Sequence, residues 1–454
     1  MGAMGTGLSS RDGRSVMHGA LTRCQKWHSI FVLKCGKASG RLLHVNRFCC
    51  FDTSQEILKM KVFVFDLLPY DKHFEEFKAD KFMPYPLPGK YFDREIAART
   101  YEEHFQVWEE LDRLGFDGVG LNEHHTTPHG LMCSPNMMAA VGATRTKNLK
   151  FLILGELLPL HNPLRLAEEI AMADCISKGR VWPGFARGVP REYRVFDVPQ
   201  SESRARFEEA YEIIIKAWTE DTITHEGKFW SFKDLSIWPR PYQDPYPRTW
   251  VPFAGSGDTI AWAGRNNVSG VLPYKHAGVA EDIIVYYAKC LAENGHTITP
   301  EHLCLFTETF IADSKEQAIE EYSPYYLYFN QTLWHHGSLP AQGSSAPPPP
   351  TSGYDYLRPE NRAHGGLDHE KIRNMTAADI SRQIDAKELA WGKPREITDY
   401  LIHIAESTGA DTLMINMNLG AFPKEGFLNQ VRRFSAEILP TLQKHEIKRI
   451  PSVS

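Results

Sequence analysis

Strand-like and helix-like segments alternate eight times between residues 60 and 443, a rhythm that few folds accept. The strand-like pieces are KVFVFDLL (61–68), GFDGVGL (115–121), LKFLILGEL (149–157), GRVWPGFAR (179–187), RTWVPFAG (248–255), VSGVLPY (268–274), LCLFTETFIA (303–312) and DTLMINM (411–417). Apolar runs of this length, rich in β-branched and aromatic residues, read as strands buried on both faces. Between them apolar residues recur every three or four positions. That spacing predicts helices over 94–115, 136–146, 163–178, 203–219, from about 258, and over 280–294, 315–330, 394–408 and 426–443. Tyr101, Phe105, Trp108 and Leu111 share one face of the first; Phe207, Tyr211, Ile214 and Trp218 share one face of the fourth. An open doubly wound sheet and a closed barrel both satisfy such alternation. Eight units with no GxGxxG after the first strand favour the α/β (β/α)8 TIM barrel. The chain exceeds the roughly 250 residues typical of that barrel, and the excess falls in 69–94, 220–247 and 331–390.

Two segments stand outside the pattern. Residues 1–59 form a basic extension: the first fifty hold eight Lys/Arg and a single acid, Asp12. The segment lacks an amphipathic helix, so it reads as a disordered expression remnant or an upstream start rather than a transit peptide. The domain proper is then 60–454. Residues 335–368, HHGSLPAQGSSAPPPPTSGYDYLRPENRAHGGLD, are too poor in aliphatics to pack as a core element. They follow the seventh strand, on the face where barrels build active sites, so a lid and a disordered insertion are both open readings. A formal charge of −5 gives no general attraction to nucleic acid or anionic membrane. No apolar run is long enough to span a bilayer. The eight cysteines include no CxxC pair, which fits a reducing compartment and a cytoplasmic location. Cys175, in a helical pattern, is expected in the core.

Three motifs carry chemistry. In GLNEHHTTPHG (120–130), Glu123, His124 and His125 leave the end of the second strand. Neighbouring side chains on a strand diverge, and no HExxH spacing is present, so no metal site is expected. A histidine at the C-terminal end of a barrel strand can exchange protons near neutral pH, and His124 is the candidate; His125 is expected to satisfy the loop. In WVPFAGSGDTIAWAG (250–264), a Gly-Ser-Gly turn opens a helix whose free N–H groups suit a phosphate. The alternative there is a plain turn capped by Asp258. In GFARGVPREYRVFDVPQSESRARFEE (184–209), Arg187 ends the fourth strand and Arg204 opens a helix, where a cation opposes the helix dipole unless it faces an anion. Arg191 and Arg194 read as surface partners of Glu202, Glu208 or Glu209. Trp230, Trp238 and Trp334 offer apolar walls for a substrate.

Taken in order, FDGVGLNEHH, HNPLRLAEEIAMADCISKGR, PGFARG, RVFDVPQSESRARF and FAGSGDT resemble the bacterial-luciferase-like family of flavin-dependent monooxygenases, over about 60–445. The resemblance implies a (β/α)8 barrel that binds reduced FMN at the C-terminal ends of its strands. It implies that His124 lies beside the isoalloxazine ring and supports flavin-peroxide chemistry, that Glu123 contacts the flavin, and that Leu154-Gly155 forms a cis peptide under the ring. Phosphate contacts carry over to Arg187, Arg204, Gly255, Ser256, Gly257 and Thr259. It further implies oxygen and a small organic molecule as substrates, a separate flavin reductase, and a homodimer, with no nucleic-acid or membrane partner. Two features depart from luciferases: Ala186 stands where they carry a reactive cysteine, and Gly255 where they carry a glutamate. Both argue against light emission. Hydride transfer with a deazaflavin, and a non-catalytic flavin-binding subunit, are the rival readings.

Overall fold

Parallel pairing organises the computed structural model, which describes residues 59–81, 83–253, 256–274, 277–333, 336 and 369–447. The basic stretch 1–58, Gly255, Trp334 and the segment 335–368 apart from His336 lie outside the described residues, and with them the disorder and lid readings. Lys59 forms an isolated antiparallel bridge with Glu446.

The strands are β1 (Lys61–Phe65), β2 (Gly118–Leu121), β3 (Lys150–Ile153), β4 (Glu156–Leu157), β5 (Val181–Trp182), β6 (Phe185–Ala186), β7 (Ile223–Glu226), β8 (Ser231–Leu235), β9 (Trp250–Pro252), β10 (Ser269–Pro273), β11 (Leu303–Ile311), β12 (Ala390–Gly392) and β13 (Thr412–Asn416). The main parallel sheet runs β5-β3-β2-β1-β13-β11-β10-β9. A parallel bridge between Gly184 and Trp250, with Trp250 N donating to the Pro183 carbonyl at 2.9 Å, brings the last strand back to the first. The result is the expected eight-stranded parallel barrel. Its fourth strand is split into β5 and β6 around Pro183, and its third into β3 and β4 around Leu154-Gly155.

The helices are α1 (Phe74–Asp80), α2 (Arg94–Leu114), α3 (Pro135–Arg145), α4 (Pro163–Ser177), α5 (Pro190–Val195), α6 (Ser203–Thr219), α7 (Gly257–Arg265), α8 (Ala277–Glu293), α9 (Lys315–Tyr328), α10 (His369–Arg373), α11 (Ala377–Asp385), α12 (Pro394–Thr408), α13 (Lys424–Glu437) and α14 (Leu439–Leu442). Local chemistry sets their ends. The Asp93 side chain accepts from Glu95 N and Ile96 N to start α2, and Gly115, at φ 83°, closes it in the left-handed region. The single helix expected over 426–443 breaks before Pro440, whose ring excludes the helix interior.

Strand alternation divides the core. Val62 and Val64 face the helices, whereas Phe63 joins Leu152, Trp250, Val271, Cys304 and Met414 inside the barrel. Phe65, Leu154, Trp182 and Phe306 flank that inner cluster. A second core of Phe77, Phe310, Tyr322, Tyr326, Ile380 and Trp391 ties α1, α9, α11 and β12 together. The first and third insertions therefore dock on the barrel through one aromatic cluster. In the middle insertion β7 and β8 form a hairpin whose turn, Lys228 to Trp230, donates backbone N–H groups to Glu209 of α6. The hairpin corrects one expectation: Trp238 is 84% exposed and lines no apolar wall. Cys175 is likewise exposed, because the apolar stripe of α4 passes through Leu166, Ile170 and Ala173 instead.

His302 gives the fold a pH dependence. Its Nδ1 accepts from Thr299 N at 3.1 Å and its Nε2 reaches Asn267 Oδ1 at 3.0 Å, an arrangement that needs the neutral ring. Burial, aided by Arg248, pushes its pKa down to about 4. The folded value lies below the unfolded one, so this contribution is complete above about pH 6.5 and is lost as pH falls toward 4. Denaturant unfolding should show about 2 kcal/mol of pH-dependent loss between pH 7 and about 5 from this residue. His302→Gln should flatten that slope; an unchanged slope in the variant would refute the assignment.

Candidate active site

The candidate side chains lie near the ends of β2, β3, β6 and β9. After Leu121 the chain leaves the sheet, and His124 N donates to the Met132 carbonyl at 3.1 Å. Strand alternation therefore no longer governs Glu123, His124 and His125, yet the two histidines still diverge, each drawn to a different carboxylate.

His124 Nδ1 lies 3.0 Å from Glu192 Oε1. Glu192 sits in the short α5 and is fully buried, and its Oε2 accepts from Val189 N at 2.8 Å. A carboxylate at Nδ1 holds the ring proton there and leaves the lone pair on Nε2. The pair is thus a base oriented by an acid, able to take a proton at Nε2 and to stabilise the imidazolium that results. Arg191 is not on the surface: it is 1% exposed, with Nη1 donating to the His336 carbonyl at 2.6 Å and Nη2 3.5 Å from His124 Nδ1. Its neighbours in α5 are buried, so the helix turns it inward rather than toward Glu202, which pairs with Arg206 at 2.8 Å. Arg194 lies over the Tyr85 ring. His129 packs against His124 with ring centroids 4.6 Å apart, and burial followed by the charges of His124 and Arg191 holds its pKa well below the usual value. His336 is also depressed by burial, to about 4, and spans Thr127 Oγ1 and the Pro84 carbonyl.

Glu123 faces a different set. Its Oε1 accepts from His125 Nε2 and His161 Nε2, both at 2.7 Å, and its Oε2 from Leu157 N at 2.9 Å. His125 is fixed further by the Phe196 ring, 4.7 Å away. Burial alone would raise the Glu123 carboxyl, but the two histidines outweigh it and hold it at about 2. Glu123, Glu156 and His161 each bring one potential ligand atom within 4.8 Å of the others, a buried cluster that was not read from the sequence.

Leu154-Gly155 is a cis peptide. A Cβ on Gly155 would stand 2.9 Å from both the Ala186 nitrogen and the Phe185 carbonyl carbon, so only glycine lets β3 and β6 approach so closely. Arg187 follows β6 directly, and β6 neighbours β9, whose following turn opens α7. Arg204 Nη2 donates to Thr259 Oγ1 at 2.9 Å, which fixes this guanidinium at the first turn of α7. Ser256, rather than Asp258, is the residue before the helix, and its hydroxyl makes no capping bond; Asp258 is exposed in the first turn. Arg204, Thr259 and the start of α7 therefore stand together, and donors of this kind suit an anion.

Comparison with known proteins gives the family. Residues 86–412 match the luciferase-like monooxygenase family model, and the chain belongs to that family. It is 26% identical over 341 residues to the alkanal monooxygenase alpha chain of Aliivibrio fischeri, covering 74% of this chain and 92% of that one. It is 28% identical over 244 residues to the oxygenase component of the flavin-dependent trigonelline monooxygenase of Acinetobacter baylyi, covering 52% and 67%. Protein y4wF of Sinorhizobium fredii is 36% identical over 184 residues, covering 40% of this chain and 54% of that protein. Among solved structures, monooxygenase RslO1 from Streptomyces bottropensis superposes with a TM-score of 0.66 at 23% identity, over 84% of this chain and 99% of that one. The FMN complex of the oxygenating constituent of 3,6-diketocamphane monooxygenase from Pseudomonas putida does so with 0.61 at 20%, over 84% and 98%. An F420-dependent secondary alcohol dehydrogenase shares the fold with 0.59 at 12%, over 85% and 100%. The chain is a luciferase-like, flavin-dependent monooxygenase.

If Glu192 orients His124, the two act as one unit. His124→Ala and Glu192→Gln should each lower product formation, His124→Ala by roughly 10²–10⁴. The double variant should be little worse than His124→Ala alone. Independent, multiplying losses in steady-state assays would show that Glu192 acts elsewhere.

Proposed function

We propose that this monooxygenase takes reduced FMN from a separate reductase and uses it with oxygen to oxygenate a small organic substrate. The observation that carries the reading is Arg204 bonded to Thr259 at the α7 start, on the same barrel rim as the Glu192–His124 pair. Arg187, Arg204, Ser256, Gly257, Thr259 and, beside them, Gly255 would hold the phosphate. The ring would lie over Leu154-Gly155, toward His124. Glu123, with both oxygens engaged by His125, His161 and Leu157, would support that bed from behind rather than bond the ring through its carboxylate. When bound, reduced FMN supplies the electron pair for oxygen activation. The chain's own share is to position the ring, exclude water and hold a proton at His124 Nε2.

The trigonelline enzyme's description as an oxygenase component supports a separate reductase here. A deazaflavin is the second reading, supported by the shared fold of the F420-dependent dehydrogenase; cofactor titrations followed by absorbance separate the two. The acid-oriented His124 favours catalysis over a passive flavin-binding role. Among the described residues no helix is long and apolar enough to cross a membrane. Cys133, Cys175, Cys290 and Cys304 are free thiols, which supports a cytoplasmic place.

A homodimer is supported by an exposed apolar face. Met137 and Val141 of α3 and Met172 and Ile176 of α4 are 68%, 39%, 50% and 44% exposed, on two helices packed side by side. Sedimentation should show a dimer that Met172→Glu converts to monomer; a monomeric parent protein would sink this assignment.

The cofactor reading is tested at the phosphate. Arg187→Ala should weaken FMN by about 1.5–3 kcal/mol, the size of a lost hydrogen bond to a charged group. Riboflavin, which lacks the phosphate, should bind parent and variant alike. Equal losses for both flavins would mean the arginine supports the fold instead.

A further inference from the structure

Glu156 has no part in the flavin reading, yet its carboxyl stands within reach of two other donors. Among the described residues, Glu123, Glu156 and His161 each place one oxygen or nitrogen within 4.8 Å of the others. Glu156 opens β4 directly after the Leu154-Gly155 peptide and is 1% exposed. Its Oε1 is buried with no hydrogen-bond partner. Asn136 of α3 lies against it, and Asn136 Oδ1 is also buried without a partner. Buried acceptors of this kind are rare, because each has left water without gaining a donor. Two carboxylates so close to each other, away from solvent, call for a cation between them. The backbone holds all three donors in place. Glu123 Oε2 accepts from Leu157 N at 2.9 Å, and Glu156 N donates to the Gly184 carbonyl at 2.8 Å. His161 N donates to the Leu158 carbonyl at 3.3 Å, just before Asn162 caps α4.

We propose that Glu123, Glu156 and His161 bind a divalent transition-metal ion, with Zn²⁺ the best fit. Two carboxylate oxygens and one imidazole, with no sulfur in the set, suit such an ion, and they offer too few oxygens for calcium or magnesium. The two carboxylates cancel the charge of the ion, so the complex is neutral where it is buried. Bonds of about 2.0–2.2 Å set neighbouring donors about 3.4 Å apart, so side-chain shifts on the order of 1 Å suffice. His161 Nε2 now donates to Glu123 Oε1 at 2.7 Å. On binding, that proton leaves to solvent and both atoms turn to the ion. His125, also 2.7 Å from Oε1, stays as the outer partner that orients the carboxylate. His161 is 31% exposed at its side chain, which gives the ion a way in and leaves a fourth position for water. Arg165 and Glu169 of α4, the nearest outer charges, pair with each other at 2.7 Å. Of the EHH motif only Glu123 takes part, so the diverging histidines are no obstacle. The ion would clamp the loop after β2 to the backbone just past the cis peptide, and it needs no flavin to do so.

The full chain, stripped of metal with a chelator and kept free of flavin, reads the site without turnover. Calorimetric titration with Zn²⁺ should give one ion per chain, and the ion should raise the melting temperature. X-ray absorption of the zinc-loaded parent should show only nitrogen and oxygen neighbours, one of them an imidazole. Glu156→Gln removes a charged ligand and keeps its shape. That variant and His161→Ala should each weaken Zn²⁺ by more than a hundredfold, beyond the roughly 10–100-fold loss of an outer partner. His125→Ala should stay within that smaller range. If Glu156→Gln does not fold, the absorption spectrum of the parent still decides. The proposal is overturned by no stoichiometric binding at micromolar Zn²⁺, by two or more imidazoles at the ion, or by unchanged affinity in both ligand variants. Each of those results leaves the oxygenase reading intact, since that reading turns on FMN titration and product formation.

Discussion

Everything on the functional rim depends on the contact that closes the barrel, where Trp250 N donates to the Pro183 carbonyl beside Gly184. The fourth strand must pass so close to the third that a Cβ at 184 would overlap the Ile153 carbonyl oxygen. Glycine at 184 and again at 155 removes the obstacle on both sides. Closure then places β6, which Arg187 follows, against β9. It also carries α5 over the end of β2, where Glu192 meets His124. A sheet left open at this seam would separate the anion grip from the acid–base pair by the width of several strands.

Two electrostatic neighbourhoods sit side by side on that rim. One is built around Glu192, His124, Arg191 and His129, with His129 held below its usual pKa by burial and by the charges of His124 and Arg191. The other is built around Glu123, with His125 and His161 as donors and the buried Glu156 beside it, its pKa raised by burial and by the charge of Glu123. Adjacent residues of one motif feed the two, because the backbone leaves the strand at Leu121 and each histidine finds its own carboxylate. The surroundings push the two acids in opposite directions, Glu123 down through its histidine partners and Glu156 up through burial.

The barrel was legible because strand and helix periods differ, and eight repeats leave few arrangements. The helix over 203–219 and the inward faces of α2 and β1 needed only that periodicity. The anchors at His124, Arg204 and Thr259 were legible as motifs placed at strand and helix ends. Glu192, Glu156 and His161 were not, since each meets its partner across a sequence separation that no local pattern encodes. Arg191 misled for a related reason. A charged residue in a polar stretch reads as surface, and only the structure shows that Arg191 is buried with Glu192 and Tyr193. Cys175 failed in the opposite sense, where a helical pattern was legible but the phase of its buried stripe was not.

The stretch from Gly184 to Arg204 holds the closing glycine, Arg187, Arg191, Glu192 and Arg204, while the middle and third insertions lie outside it. Several of the residues proposed to serve the site thus share one contiguous piece of chain, while His124, Leu154-Gly155 and Thr259 come to it from elsewhere. Recombination between relatives can exchange the outer insertions without cutting that piece. An exchange of an outer insertion would leave the spacing within 184–204, and with it the geometry that piece sets, untouched.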